Sequence, residues 1–208
     1  MNNNIKLYND DCMNIMPNYQ DNYFELAIVD PPYGIRRLHS GGMPKSSRFK
    51  KWERKKWDNE IPNKKYFDEL FRVSKNQIIW GGNYFVDYLR RSQGWVFWFK
   101  QTGMTFADGE LAWTSFDRAT RCYNKSGMGG GINKIHPTQK PIKLYKWLLE
   151  NYAKPTDKIL DTHLGSGSSA IAYNYFGIKE FTGIEIDKEY FDMASKRIEK
   201  ETMQGKLI

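Results

Sequence analysis

Asp30-Pro31-Pro32-Tyr33 ends an apolar run at residues 26–29 with a carboxylate, two rigid rings and a phenol. These groups could hold a planar amine. The Asp30 carboxylate would accept from one amine hydrogen, and the Pro31 carbonyl, on a backbone the prolines fix, from the other. Two acceptors favour a more tetrahedral nitrogen and free a lone pair otherwise delocalised into the ring. Tyr33 offers a face on which that ring can stack. Alone, the four residues would serve equally as a Pro-Pro turn with a solvent-facing carboxylate. A second group changes that: Gly165-x-Gly167-x-x-Ala170, with Glu185 further on after the next apolar run. Such glycines let a backbone turn tightly and approach a ligand, and a carboxylate after the next strand suits ribose hydroxyls. The pattern fits a nicotinamide cofactor or another adenosine-bearing one such as S-adenosylmethionine. Its plain alternative is a tight strand–helix turn.

Both groups need elements to position them. Residues 5–8 read as a short strand and 25–29 as a buried one bounded by prolines. Residues 64–74 space Phe67, Leu70, Phe71 and Val73 as an amphipathic helix. Further strands are predicted at 76–80, 94–99, 110–116, 157–161 and within 179–187, and helices at 84–91, 141–152, 168–176 and 189–201. Residues 34–63 read as a mostly irregular insertion, and 121–135, around Gly129-Gly130-Gly131, as a loop. Alternating strands and helices predict a single α/β domain over residues 1–208, Rossmann-like, its mostly parallel sheet flanked by helices. Ligands bind such sheets beyond the carboxyl ends of the strands, where Asp11, residues 30–33, residues 161–167 and Glu185 all fall. Trp80 and Phe99 are expected in core strands.

The charge is localised. Residues 36–65 hold 11 Lys and Arg against 3 Asp and Glu, a net +8, while the remaining 21 basic and 21 acidic residues cancel. A basic segment beside a candidate chemical site points to a polyanion, nucleic acid first. Trp52 and Trp57 interleave with the charges and could stack on bases. A solvated loop is the bland alternative. No apolar run approaches the ~18 residues of a membrane span, and the opening residues lack the basic-then-apolar pattern of a secretory signal. Cys12 and Cys122 fit neither a disulfide framework nor a metal cluster, so no metal is expected. A cytoplasmic protein is the expectation.

Asp30-Pro31-Pro32-Tyr33 resembles the catalytic motif of amino-methyltransferases acting on nucleic-acid bases. Residues 161–167, "DTHLGSG", resemble their S-adenosylmethionine turn, and 136–141, "HPTQKP", the segment before it. The catalytic motif precedes the cofactor motif, as in the permuted beta group of DNA amino-methyltransferases. The resemblance spans about residues 5–198 and implies that family's methyltransferase fold. It implies a methyl group passed directly from S-adenosylmethionine to the exocyclic N6 of an adenine flipped from DNA. Asp30, Pro31, Pro32 and Tyr33 would be catalytic. Asp11, Asp161, His163, Gly165, Ser166, Gly167, Glu185, Thr138 and Lys140 would bind the cofactor: Glu185 at the ribose, Asp11 near the adenine, Lys140 with Thr138 near the methionine end or a phosphate backbone. Capping of a short helix is an equal reading of Asp11. The family usually has an aromatic residue where His163 stands, and no proton transfer is assigned to it. Arg36, Arg37, Arg48, Lys50, Lys51, Trp52, Lys55 and Lys56 would bind DNA. Residues 34–63 and 117–133 are the candidates for target recognition, short enough to imply a short or loosely selective site. Dimerisation, as in some relatives, could extend the footprint.

Aspartate at the first motif position leans toward adenine, with N4-cytosine the nearest alternative. A methyltransferase for RNA or protein glutamine uses a similar site, but the motif order and "HPTQKP" argue against it. A nicotinamide-dependent oxidoreductase leaves residues 30–33 without a task. A catalytically dead DNA-binding module would not need an intact Asp30 and Gly165/Gly167. Neither cysteine follows a proline, as the nucleophile of carbon-5 cytosine methyltransferases does.

Overall fold

The computed structural model describes residues 4–35, 60–100, 107–124 and 134–204. Eight strands form one sheet: β1 (Ile5–Tyr8), β2 (Phe24–Val29), β3 (Ser74–Trp80), β4 (Trp95–Phe99), β5 (Gly109–Thr114), β6 (Arg121–Asn124), β7 (Lys158–Asp161) and β8 (Glu180–Ile184). Their order is β1-β8-β7-β2-β3-β5-β4-β6. All the pairings are parallel except those of β5, which runs against β3 and β4. The order reverses between β7 and β2, and a crevice opens at such a switch point.

Alternation along the strands feeds two cores. Leu26 and Ile28 of β2 point to one face and pack with Leu144, Leu148 and Ile171. These come from α3 (Ile142–Tyr152) and α4 (Ser168–Phe176), beside which Ala194 and Ile198 of α5 (Lys188–Gln204) complete the layer. Ala27 and Val29 point to the other face, against Tyr66, Phe67, Leu70 and Val73 of α2 (Lys64–Val73) and Met16 after the short α1 (Cys12–Ile15). The result is the expected α/β sandwich.

Local chemistry sets the ends of the helices. Asn63 caps α2, its Oδ1 accepting from the Tyr66 N–H at 3.3 Å. Asp11 caps α1, accepting from the Met13 N–H at 2.8 Å. Gly167 enters α4 at φ +71° and Gly177 leaves it at φ +78°, left-handed backbone that glycine adopts without strain.

Two expectations are corrected. The helix predicted at 84–91 is absent: a 3-10 turn at Gly82–Tyr84 gives way to non-helical turns. Gly81 is left-handed at φ +70°, and a Cβ on Gly82 would stand 2.6 Å from that of Trp113, so the chain is pinned against β5 before a helix can start. Within the loop predicted at 121–135, residues 121–124 are a strand, β6, parallel to β4. Only Tyr123 of its four residues is buried, which leaves no apolar pattern to read. Arg36, Arg37, Arg48, Lys50, Lys51, Trp52, Lys55 and Lys56, with the glycine run at 129–131, lie outside the described residues.

Candidate active site

Asp30 follows the last residue of β2, at the switch point, and each of its carboxylate oxygens accepts a hydrogen bond. Oδ1 accepts from the Tyr33 hydroxyl at 2.5 Å and Oδ2 from Lys140 Nζ at 2.5 Å. Lys140, buried to 4% exposure, also lies 3.1 Å from Glu110 Oε2, and Lys100 holds Glu110 Oε1. Two carboxylates and two ammoniums thus form one compact, nearly dry cluster. Burial pulls the Lys140 ammonium toward neutrality, but Asp30 and Glu110 outweigh it and leave its pKa above the ordinary lysine value. Burial likewise raises the Glu110 pKa, and Lys140 and Lys100 overcome that and hold it well below the usual carboxylate range. The Lys140 ammonium stands over the Trp80 ring, 5.1 Å from its centroid.

The Tyr33 ring is fixed from several sides. Tyr84 stacks on it with centroids 5.1 Å apart and planes 16° from parallel, and Phe85 meets it edge-on at 6.1 Å. Gly81 makes room for it: a Cβ there would stand 2.2 Å from Tyr33 Cε1. Burial, then the Asp30 charge, raise the Tyr33 pKa well above that of a free phenol, so its hydroxyl stays a donor to Asp30.

The glycine turn leaves β7, the strand next to β2. Gly165 is at φ +54°. Its N–H donates to Glu185 Oε2 at 2.8 Å, and the Asp187 N–H donates to Oε1 at 3.0 Å. A Cβ on Gly165 would meet the His136 ring at an ordinary contact distance of 3.7 Å. Ser166 lies inside the turn, paired to Ser168 at 3.0 Å. His163 is held by the Thr162 hydroxyl at 2.9 Å and by the edge of Tyr66, and burial lowers its pKa to about 4. That makes it a neutral ring. Thr138 and His136 bond each other at 3.1 Å, and His136 packs on Tyr190.

Asp161 ends β7, fully enclosed, accepting from the His163 N–H at 3.0 Å and the Ser169 hydroxyl at 2.6 Å. Burial outweighs those bonds and raises its pKa to about 7. The unfolded chain ionises this group near pH 3.8, so between there and about pH 7 the folded state holds the extra proton. Stability then falls as pH rises through that window and levels off above it. Asp161→Asn keeps both partners without the charge. It is expected to raise stability at pH 8 by about 1–3 kcal/mol relative to its effect at pH 4, read by urea denaturation at the two pH values. An equal effect at both would remove the assignment.

The catalytic and cofactor residues expected from the sequence gather beyond the carboxyl ends of the parallel strands. Asp11 caps α1 there, and Lys140, expected near the methionine end or a phosphate backbone, is buried on Asp30. Sequence reasoning missed Glu110, Lys100, Gly81 and Tyr84. A lone glutamate opening an apolar strand and a Gly-Gly closing another were the available signals. A cavity of about 340 Å³ lined by Ser74, Gln77, Arg90 and Trp113 lies toward the opposite ends of these strands and touches none of these residues. Among the described residues, no group of His, Cys, Asp and Glu could hold a metal ion, and no helix is long and apolar enough to cross a membrane.

Residues 30–33 and the glycine turn thus stand on either side of the switch point of this sheet. The N6/N4 methyltransferase family model, described as DNA methylase, matches residues 75–196, more than half of the chain. The chain belongs to that family. The match begins beyond residues 30–33. Over 66 residues the chain is 41% identical to the type II methyltransferase M2.DpnII of Streptococcus pneumoniae, covering 32% of this chain and 24% of that protein. The chain thus spans about a quarter of that relative's length. M1.HpyAVI, solved as a complex with SAM, shares the fold with a TM-score of 0.63 at 20% identity, covering 93% of this chain and 98% of that one. The cytosine-N4-specific PvuII DNA methyltransferase does so with a TM-score of 0.63 at 13% identity, covering 97% and 92%.

Proposed function

We propose that this chain is a permuted, beta-group DNA methyltransferase that transfers a methyl group from S-adenosylmethionine to the exocyclic N6 of an adenine flipped out of DNA. The observation that carries the reading is the placement of Asp30 and Tyr33 at the switch point, beside the Gly165 turn and Glu185. The turn fits an adenosine-bearing cofactor: Gly165 and Gly167 are left-handed, and the Glu185 carboxylate, after the next strand, sits on the turn's backbone where ribose hydroxyls would be met. Gly165, Ser166, Gly167, Asp161, His163, Glu185 and Asp11 would hold the cofactor, with Thr138 at the margin.

When bound, S-adenosylmethionine supplies a sulfonium methyl, which the amine nitrogen takes as the S–C bond breaks toward sulfur. Asp30 and the Pro31 carbonyl accept the amine hydrogens and turn the nitrogen lone pair outward. The Asp30 carboxylate can take the proton that the methylated nitrogen sheds. Tyr33 holds the base ring and orients Asp30. The chemistry needs no nucleophile from the protein; position and electrostatics supply the rate. Adenine is favoured over cytosine because aspartate opens the motif.

Incubation with unmethylated DNA and S-adenosylmethionine, digestion to nucleosides and mass spectrometry test the reading. N6-methyladenine is the expected product. N4-methylcytosine would keep the chemistry and change the base; label in RNA or protein but not DNA would move the substrate class. The basic segment is the proposed DNA-binding surface. Substituting glutamine for Arg48, Lys50, Lys51, Arg54, Lys55 and Lys56 is expected to weaken DNA binding and flatten its dependence on salt, by about 0.9 in log–log slope for each phosphate no longer neutralised. An unchanged slope would return the segment to a solvated loop.

A further inference from the structure

We infer that Lys140 competes for the target amine's place on Asp30, and that Glu110 is the positioning residue that draws it away when the amine arrives. The inference rests on the methyl-transfer reading above. An acceptor for an amine should present an oxygen free of a charged competitor, yet Oδ1 of Asp30 accepts from Tyr33 and Oδ2 from the Lys140 ammonium, each at 2.5 Å. The Lys140 side chain ends in what the target would bring, a nitrogen with hydrogens to donate. It lies against Tyr33, the ring proposed to stack the base, 5.9 Å from that ring's centroid.

An ammonium in that position opposes transfer in two ways. It competes, as a charged donor, for the oxygen that a neutral amine must use. It also sets a positive charge beside a nitrogen that becomes positive as its new bond forms. Productive geometry therefore requires Nζ to leave Oδ2 without leaving the buried site, where an unpaired ammonium is costly.

Glu110 supplies the destination. Its Oε2 lies 3.1 Å from Nζ, is fully enclosed, and makes no aligned hydrogen bond. Buried polar atoms rarely go unsatisfied, and this one faces an ammonium that could satisfy it by a small movement. Its other oxygen is tied to Lys100, so the carboxylate itself stays in place. The movement breaks no covalent bond, leaves the proton on Nζ and preserves the balance of two carboxylates and two ammoniums. It turns a loose ion pair with Glu110 into a hydrogen bond and frees one oxygen of Asp30. Glu110 reaches this spot because β5 is reversed: its second residue pairs with Trp98 near the end of β4, and Ala112 pairs with Trp80 at the end of β3.

Single-turnover methyl transfer by the full chain to unmethylated plasmid DNA, from methyl-labelled S-adenosylmethionine, tests this with two variants. Glu110→Gln leaves Lys140 on Asp30 and is expected to lower the transfer rate about tenfold or more, with cofactor affinity within roughly twofold of wild type. Adding Lys140→Gln to it removes the competing ammonium and is expected to recover most of the lost rate, which a merely structural Glu110 would not allow. A wild-type rate in Glu110→Gln overturns the inference. So does a double variant slower than the single one, since Lys140 would then be needed on Asp30. Thermal melting checks that both fold. If Glu110→Gln does not, Glu110→Asp keeps the charge one methylene further back and is expected to slow transfer in the same way; a wild-type rate there overturns the inference too. Absence of transfer by the unsubstituted chain would instead count against the methyl-transfer reading itself.

Discussion

Asp30→Ala is expected to cut methyl transfer by at least about 10²–10⁴-fold, the range typical of losing a positioned proton acceptor, while S-adenosylmethionine still binds. The two effects separate because Asp30 follows β2, one strand away from β7 and its glycine turn, and bonds to none of the residues of that turn or to Glu185. The substitution strips the Tyr33 hydroxyl of its acceptor and leaves Lys140 to Glu110 alone. Some stability is lost with them, so thermal melting belongs beside the kinetics. Equilibrium binding of the cofactor and single-turnover transfer are the two measurements. Near-normal turnover in a folded variant would remove Asp30 from the chemistry and, with it, the reading of residues 30–33.

Gly81→Ala is expected to cost nearly as much rate without touching a polar group. Its backbone is at φ +70°, where an L side chain costs about 1–2 kcal/mol, and its Cβ would lie 2.2 to 2.7 Å from three atoms of the Tyr33 ring. The ring must move, because the backbone at Gly81 is tied down: its N–H donates to the Leu111 carbonyl at 2.8 Å. A displacement on the order of 1 Å at a positioning group can cost about 10²-fold. The expected result is a melting temperature lowered by several degrees and a transfer rate lowered about 10²-fold, with cofactor binding intact. A folded Gly81→Ala with wild-type rate would mean that the position of the Tyr33 ring does not matter.

Much of the frame was legible because it rests on local signals. Strands β2, β7 and β8 are short apolar runs, and the residues that end them (Asp30, Asp161 and Glu185) are polar side chains that a buried strand would otherwise avoid. Proximity to the switch point follows from parallel topology alone. Glu110 was illegible for a topological reason. Searching beyond the carboxyl ends of strands finds the site residues of parallel strands; on the reversed β5 the same edge carries the first residues instead. The destination of Lys140 was hidden for another reason. An ion pair across 110 positions of chain leaves no periodic trace, and a lysine before a helix reads as surface until the sheet is assembled. The missed turn after Gly82 has the same origin: it is set by the backbone's approach to Trp113, not by the residues that follow it.

The reversed strand also divides the sheet by the entropy of bringing its parts together. The β4–β5 pairing starts from Phe99 and Gly109, whereas β2 meets β7 through Leu26 and Ile159, and β1 meets β8 through Ile5 and Phe181. Closing the longer loops costs about 2 kcal/mol more than closing the short one. The side of the site around Gly81, Lys100 and Glu110 can therefore take shape from one stretch of chain. The glycine turn must wait for pairings between residues far apart in the chain. In folding time the two sides of one crevice have different ages.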